Sequence, residues 1–239
     1  MRVQIQAKFN KKGNIKLGGA VWAFSKLYGN KDIFVRPLMA TVSGTCGGYC
    51  QGCESDCYVR KSYRYPSVIW SHARNTLAFR DDLSSAFFQL SEQLRRAKNK
   101  PNTVRINQSG ELESLQELIY WGFLASLYPN TQFYIYTKAY NLAAAALEKG
   151  AIPENMTILV SVWHNFGLAE YAALAEYDNV KAFVYDDFSF DYAAHGLQIG
   201  TSCHAYDNKG KLDHSVTCDK CRKCFNRSKA SKVIRCAAH

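Results

Sequence analysis

The chain has 239 residues and a mass of 27.0 kDa; it is 47% hydrophobic and 21% charged, with a formal net charge of +10 and a pI of about 9.1. Fifteen glycines and five prolines are too few for a disordered or collagen-like chain, and no apolar run approaches the length of a membrane span, so no membrane partner is expected. The length suits one buried core with an appendage.

From Met1 to Gly13, Val3, Ile5, Ala7 and Phe9 alternate with polar residues, which predicts a strand without the apolar region of a signal peptide. A cytoplasmic location is expected. Ile33 to Ala40 reads as a strand running into a cysteine-rich loop. Ser67 to Lys100 has helical periodicity, with Leu77, Phe79, Leu83, Phe87, Leu90 and Leu94 on one face, ended by Pro101. Thr103 to Ile106 is a short strand, Leu112 to Leu127 a helix, Phe133 to Thr137 a strand, and Asn141 to Lys149 an alanine-rich helix stopped by Gly150. Strand Thr157 to Val162, a helix from Leu168 to Tyr177 and strand Val180 to Tyr185 continue the series. Such alternation predicts an α/β fold with parallel strands and crossover helices, open or closed into a partial (β/α) barrel. Functional loops then gather at the carboxyl ends of the strands. The loop after Ala40 and the Gln108-Ser109-Gly110-Glu111 turn are expected on that same face.

The nine cysteines concentrate at the two ends of this series. Cys46, Cys50, Cys53 and Cys57 form one group; Cys203, Cys218, Cys221, Cys224 and Cys236 form the other. A chain of this size needs no disulfide framework, so clustered thiolates suggest metal binding in a reducing compartment. The division expected is an α/β core over residues 1–200, carrying the first group, and a basic, cysteine-rich metal-binding extension over 201–239.

Cys46, Cys50 and Cys53 are spaced C-x3-C-x2-C, which resembles the loop of radical S-adenosylmethionine enzymes, where three cysteines hold a 4Fe-4S cluster and leave one iron open. Gly52 stands where those enzymes usually carry an aromatic residue. Cys57 either completes a four-cysteine site or replaces Cys50. Ser109, Gly110 and Glu111 are candidates for contacting the amino group of S-adenosylmethionine; alternatively, Glu111 simply begins a helix. Arg105 and Asn107 alternate with Val104 and Ile106 on the preceding strand and are candidate cofactor contacts, Arg105 as a fork for a carboxylate or phosphate.

Cys218, Cys221 and Cys224 are spaced C-x2-C-x2-C, a ferredoxin-type pattern, with Cys203 or Cys236 as the fourth ligand. Zinc is the alternative metal at both sites. Residues 209–235 hold nine Lys or Arg against two Asp, so nucleic acid is a candidate partner, with Lys220, Arg222, Lys223, Arg227 and Lys229 on phosphates. The tyrosines show no regular ladder for single-strand stacking.

Several motifs, taken in order, carry a family resemblance. They are Thr45-Cys46, Cys53 and Cys57-Tyr58 within Thr41 to Val59; Tyr65-Pro66-x-Val68 followed by Arg74 and Asn75; Arg105-Ile106-Asn107-x-Ser109-Gly110-Glu111; Trp121; Phe133-x-Ile135-Tyr136-Thr137; and the Cys218 triple with a closing His239. Together they resemble the bacteriophage gene-product-88 domain family over nearly the whole chain. In that family the first group runs C-x6-C-x3-C, which falls here on Cys46, Cys53 and Cys57, and an Asp is commoner where Glu111 stands. The resemblance implies phage or mobile-element origin and life in a host cytoplasm.

The function expected from these readings is that of an iron-sulfur protein with one or two 4Fe-4S clusters, on a partial barrel that resembles the radical S-adenosylmethionine fold. Radical S-adenosylmethionine-like chemistry would be fed by a host flavodoxin or ferredoxin as electron donor. The alternative is a zinc-stabilised basic protein that binds nucleic acid or a host protein.

Overall fold

The computed structural model describes residues 5–11, 17–50, 53, 57–163, 166–186, 190–205, 211, 213, 215–225 and 232–237. Its elements are β1 (Val21–Ala23), β2 (Asp32–Val35), β3 (Ala40–Ser43), α1 (Val59–Ser62), α2 (Pro66–Asp81), α3 (Leu83–Arg95), β4 (Thr103–Ile106), α4 (Leu115–Leu127), β5 (Gln132–Thr137), α5 (Tyr140–Glu148), β6 (Met156–Trp163), α6 (Leu168–Leu174), β7 (Val180–Asp186), β8 (Thr201–Ser202), α7 (Cys218–Cys221) and β9 (Val233–Ala237). Seven strands form one sheet in the order β1-β4-β5-β6-β7-β9-β8, and every neighbouring pair is parallel. β2 and β3 form a separate antiparallel hairpin.

Apolar side chains on both faces of the sheet explain why these strands stay buried. One face, with Val104, Ile106, Phe133, Ile135, Ile158, Val160 and Val184, packs against Phe79, Phe87, Trp121, Ala143 and Leu174 of helices α2 to α6. The opposite face carries Tyr134, Leu159 and Ile234. It is covered by Phe225 and by Cys203 and Cys224 from the C-terminal segment. The result is a mixed α/β fold, a parallel sheet flanked by helices and broadly barrel-like, as the alternation predicts.

Several boundaries differ from expectation. The strand expected over Ile33 to Ala40 is broken by Pro37 into a 3-10 turn, Arg36–Leu38, so the segment becomes the β2–β3 hairpin, with Met39 left-handed at φ 46°. The single long helix becomes α2 and α3, because Asp82 is extended and its carboxylate caps Ser85 N–H at 3.0 Å. At the other end of α2, Pro66 occupies the first turn, where its missing N–H does no harm. The helix expected from Leu112 starts at Leu115, capped by Ser114. In the Met1 to Gly13 segment, the described residues form no strand; Asn10 makes an isolated bridge to Ala23.

Candidate functional site

The loops after β1, β3, β4 and β5 meet at the carboxyl edge of the sheet. Thr45 organises the junction. Its hydroxyl donates to Leu27 O at 2.9 Å and accepts the Glu111 N–H at 2.9 Å. The cysteine loop and the Ser109-Gly110-Glu111 turn therefore share one face, as expected. Gly110 has φ +80°, and a Cβ there would lie 2.5 Å from Thr45 Oγ1. Only glycine allows this approach.

Glu111 is buried, and its carboxylate accepts from Leu112 N–H at 2.9 Å, Thr137 Oγ1 at 2.7 Å and Lys138 N–H at 2.8 Å. Burial raises its pKa against these three donors. It precedes α4 and ties β4 to the end of β5. Beneath it, the fully buried Lys26 pairs with Glu117 at 2.7 Å and Glu113 at 3.3 Å, and Glu113 pairs with Arg80 at 2.6 Å.

Arg105 lies on the inner face. Its guanidinium carbon is 4.7 Å from the Tyr136 ring centroid, and Nη2 donates to Tyr58 Oη at 3.3 Å. Burial disfavours its charge, but Tyr58, Tyr134, Tyr136 and Cys218 outweigh this and lift its pKa. Arg105 Nε and both amide atoms of Asn107 are buried without a hydrogen-bond partner, and Asn107 sits at φ 45°.

The cysteines do not gather as expected. Cys46 Sγ accepts Gly29 N–H at 3.2 Å, and Lys138 Nζ donates to Cys53 Sγ at 3.2 Å. Burial raises the Cys57 thiol. The Cys50 side chain lies outside the described residues. In the second group, Tyr136 donates to Cys224 Sγ at 2.9 Å, and burial pushes that thiol up to about 12, so it keeps its proton at neutral pH. Cys203 packs beside Cys224 against Tyr134 and Phe225, Cys218 packs against Leu17, Val21 and Ala23, and Cys221 stands in α7. None of these eight described thiols forms a disulfide, counting buried Cys236.

Among the described residues, no three His, Cys, Asp or Glu side chains come together in a way that could hold a metal ion. This overturns the expectation of 4Fe-4S clusters, of zinc as their alternative, and of a radical S-adenosylmethionine-like enzyme; the first cysteine group gives no sign of that family's loop. Cys46, Cys53 and Cys224 are instead engaged by Gly29, Lys138 and Tyr136. The zinc-stabilised form of the alternative falls on the same ground.

The basic tail is also less available than its composition suggests. Lys223 Nζ turns inward to the Thr201 hydroxyl, to Ser202 O at 3.3 Å and to His204 Nε2 at 2.6 Å. Arg222 Nε donates to Asp219 O at 3.1 Å, and Lys220 is exposed. Arg227, Lys229, His164, Asn165, His214 and His239 lie outside the described residues.

A different cationic surface emerges on α1 and α2. Residues 57–80 contain Arg60, Lys61, Arg64, Arg74 and Arg80 and no Asp or Glu. Tyr65 is 51% exposed and Trp70 39%. The Arg64 guanidinium stands 4.9 Å from the Tyr65 ring centroid, and that of Arg74 stands 5.2 Å from Trp70. Beside them a hollow of about 280 Å³ is lined by Lys8, Tyr58, Ser62, Ser67, Ser71, His72 and Gln108, among others. It lies at the carboxyl end of β1 and β4, next to the Ser109-Gly110-Glu111 turn. The acid-free run was legible in the sequence; the pairing of rings with guanidinium groups was not.

A larger, shallower hollow of about 630 Å³ sits at the opposite end, around Gln132, Asn155 and Phe225. There the Asn155 amide donates to carbonyls of Ala125, Tyr128 and Thr131 at 2.8–3.1 Å, a structural tie at the stability-bearing end of a parallel sheet.

Among the described residues, no helix is long and apolar enough to cross a membrane. Neither a curated protein nor a solved structure matches the chain. The family model for Gene product 88 does match, over residues 6–227, a span that takes in every cysteine but Cys236, the α1–α2 surface and the Ser109-Gly110-Glu111 turn; the chain belongs to this phage-associated family.

Proposed function

We propose that this protein binds single-stranded nucleic acid in the cytoplasm of a phage host, through the surface formed by α1, α2 and the adjoining carboxyl edge of the sheet. The observation that carries the reading is the acid-free run from Cys57 to Arg80, where Arg60, Lys61, Arg64 and Arg74 stand beside the Glu113-paired Arg80 and the exposed rings of Tyr65 and Trp70 lie under Arg64 and Arg74. Single strands are held by such a combination, because cations track the phosphates and every base has a face to stack. A duplex hides those faces inside its own stack. Its phosphates alone would meet this surface.

The residues singled out on β4 and its turn shape the wall beside the strand. Arg105 orients Tyr58, whose hydroxyl also donates to Gln108 O. Ser109 lines the hollow, and Asn107 brings an unpaired amide to the same turn. Gly110 and Glu111 hold that turn against Thr45. The binding body in this scheme lies within residues 1–200; from the C-terminal segment, Cys203, Cys224 and Phe225 cover the inner face of the sheet, which β8 and β9 extend.

The test is fluorescence anisotropy of labelled single-stranded and duplex DNA, each about 16 nucleotides long, over a range of salt. Tighter binding of the single strand is expected. Its log K should fall linearly with log salt, with a slope of about −0.7 per phosphate neutralised. Equal binding of duplex and single strand, or no binding at low salt, overturns the proposal.

A further inference from the structure

The hollow beside α2 differs in character from the surface around it. Its wall presents the hydroxyls of Ser62, Ser67 and Ser71, the Gln108 amide and the His72 ring, with Lys8 as a cation and no carboxylate. Tyr63 Oη accepts the Tyr28 N–H at 3.1 Å and lies 3.1 Å from His72 Nδ1. The phenol and the imidazole thus share one hydrogen bond, whose direction follows the imidazole tautomer. Burial lowers the His72 pKa to about 4, so the ring is neutral at physiological pH. The wall therefore offers neutral donors and acceptors, the chemistry that matches the edge of a flat polar heterocycle.

Position adds to this. On a helix of about 3.6 residues per turn, Ser67 and Ser71 form one stripe, and Trp70 and Arg74 form the stripe next to it. The ring that stacks and the hydroxyls that line the hollow are thus side by side on α2. At about 280 Å³, the hollow falls just below the roughly 300 Å³ at which sites for drug-sized ligands begin. One base fits that size; two stacked bases with their sugars do not.

We infer that the hollow between α2 and the Gln108-Ser109 turn receives a single nucleobase, unstacked from a bound strand whose neighbouring bases lie on Trp70 and Tyr65. This rests on the single-strand reading above. It adds that one nucleotide is held by its edge as well as by its face and phosphate, as in proteins that draw a base out of its stack.

The experiment compares an intact single-stranded DNA of about 16 nucleotides with a series that carries an abasic site at each position in turn, on the unmodified protein and on Ser71→Phe and Trp70→Ala. Ser71→Phe places a ring in the hollow. An abasic site at one register is expected to weaken binding about tenfold. Ser71→Phe should lower affinity for the intact strand by a similar factor and leave the abasic strand's affinity unchanged, while Trp70→Ala lowers both. If the unmodified protein binds every abasic strand as tightly as the intact one, the inference is overturned and the stacking surface stands. Absence of binding by either strand overturns both. The abasic series needs no mutant, so misfolding of Ser71→Phe does not obscure the result.

Discussion

Arg74 lies 5.2 Å from the ring centroid of Trp70, one helical turn away on α2, and its Nε is buried without a hydrogen-bond partner. The guanidinium holds the indole in place from one side, while the indole remains 39% exposed. A ring fixed in this way loses little rotamer freedom when a base stacks on it. Trp70→Ala should weaken single-stranded DNA binding by about 1–3 kcal/mol, the range for losing one base–aromatic stack. Arg74→Ala should weaken it less and lower the salt slope by about 0.7. Anisotropy titrations at several salt concentrations measure both, and an unchanged affinity in Trp70→Ala would remove the stacking platform.

The Lys26 ammonium, fully buried, is tied to a Glu117 carboxylate that is only 2% exposed. Removing one partner leaves an uncompensated charge in the interior. Lys26→Met should destabilise the fold by about 3–5 kcal/mol in urea unfolding, and the double variant Lys26→Met, Glu117→Leu should recover much of that loss. A single variant as stable as the unmodified chain would show that Glu117 finds another cation or takes up a proton.

His72 gives stability a pH dependence whose sign can be worked out. Its pKa falls from 6.5 to about 4 in the folded chain, so between those values the unfolded state binds more protons. Stability from this group is complete above pH 6.5 and declines as the pH is lowered towards 4. His72→Gln should flatten that part of the profile of thermal midpoint against pH. A nuclear magnetic resonance titration of the ring should give a midpoint near 4; one near 6.5 would mean that the ring stays hydrated.

Gly110→Ala combines a left-handed φ of +80° with a Cβ placed 2.5 Å from Thr45 Oγ1. A loss of about 1–3 kcal/mol is expected from the backbone alone, and the Thr45–Glu111 hydrogen bond should break. Amide hydrogen exchange at Glu111, fast in the variant and slow in the unmodified chain, reports the break directly.

Much of the fold was legible because apolar runs and helical periodicity are local properties. Thr103 to Ile106 was placed to the residue, and β5, β6 and β7 within a residue at each end. β1 is not legible in the sequence, because its three residues are too short to show alternation. The turn at Arg36–Leu38 depends on Pro37 and a left-handed Met39, which only the hairpin pairing makes evident. Asp82 reads as an ordinary helical surface residue until its cap on Ser85 is seen.

The site was less legible, and the cysteines show why. Short spacing makes thiols neighbours along the chain, but metal binding needs several of them aimed at one point. Cys53 meets Lys138 from the end of β5, and Cys224 meets Tyr136 on the same strand; neither partner can be identified from cysteine spacing. Charge misled in a similar way. The C-terminal segment has the denser run of lysines, yet Lys223 spends its donors on Thr201, Ser202 and His204. The sparser run on α1 and α2 has no acid between Cys57 and Arg80, and of its five cations Arg80 is the one drawn to Glu113.

The order of the sheet bears on how the molecule assembles. β9, at residues 233–237, lies between β7 and the much earlier β8, and β8 pairs with β9. The two-residue β8 therefore has no ladder to join until β9 has docked on β7. During synthesis the five strands from β1 to β7 in the sheet can pair as they emerge, whereas the edge of β7 stays open until residue 233 is available. An open edge on an apolar parallel sheet invites pairing with another chain. Removing residues from 233 onward should therefore do more than shorten the sheet: it exposes Ile234's partners on the inner face and turns a closing step of folding into a route to aggregation.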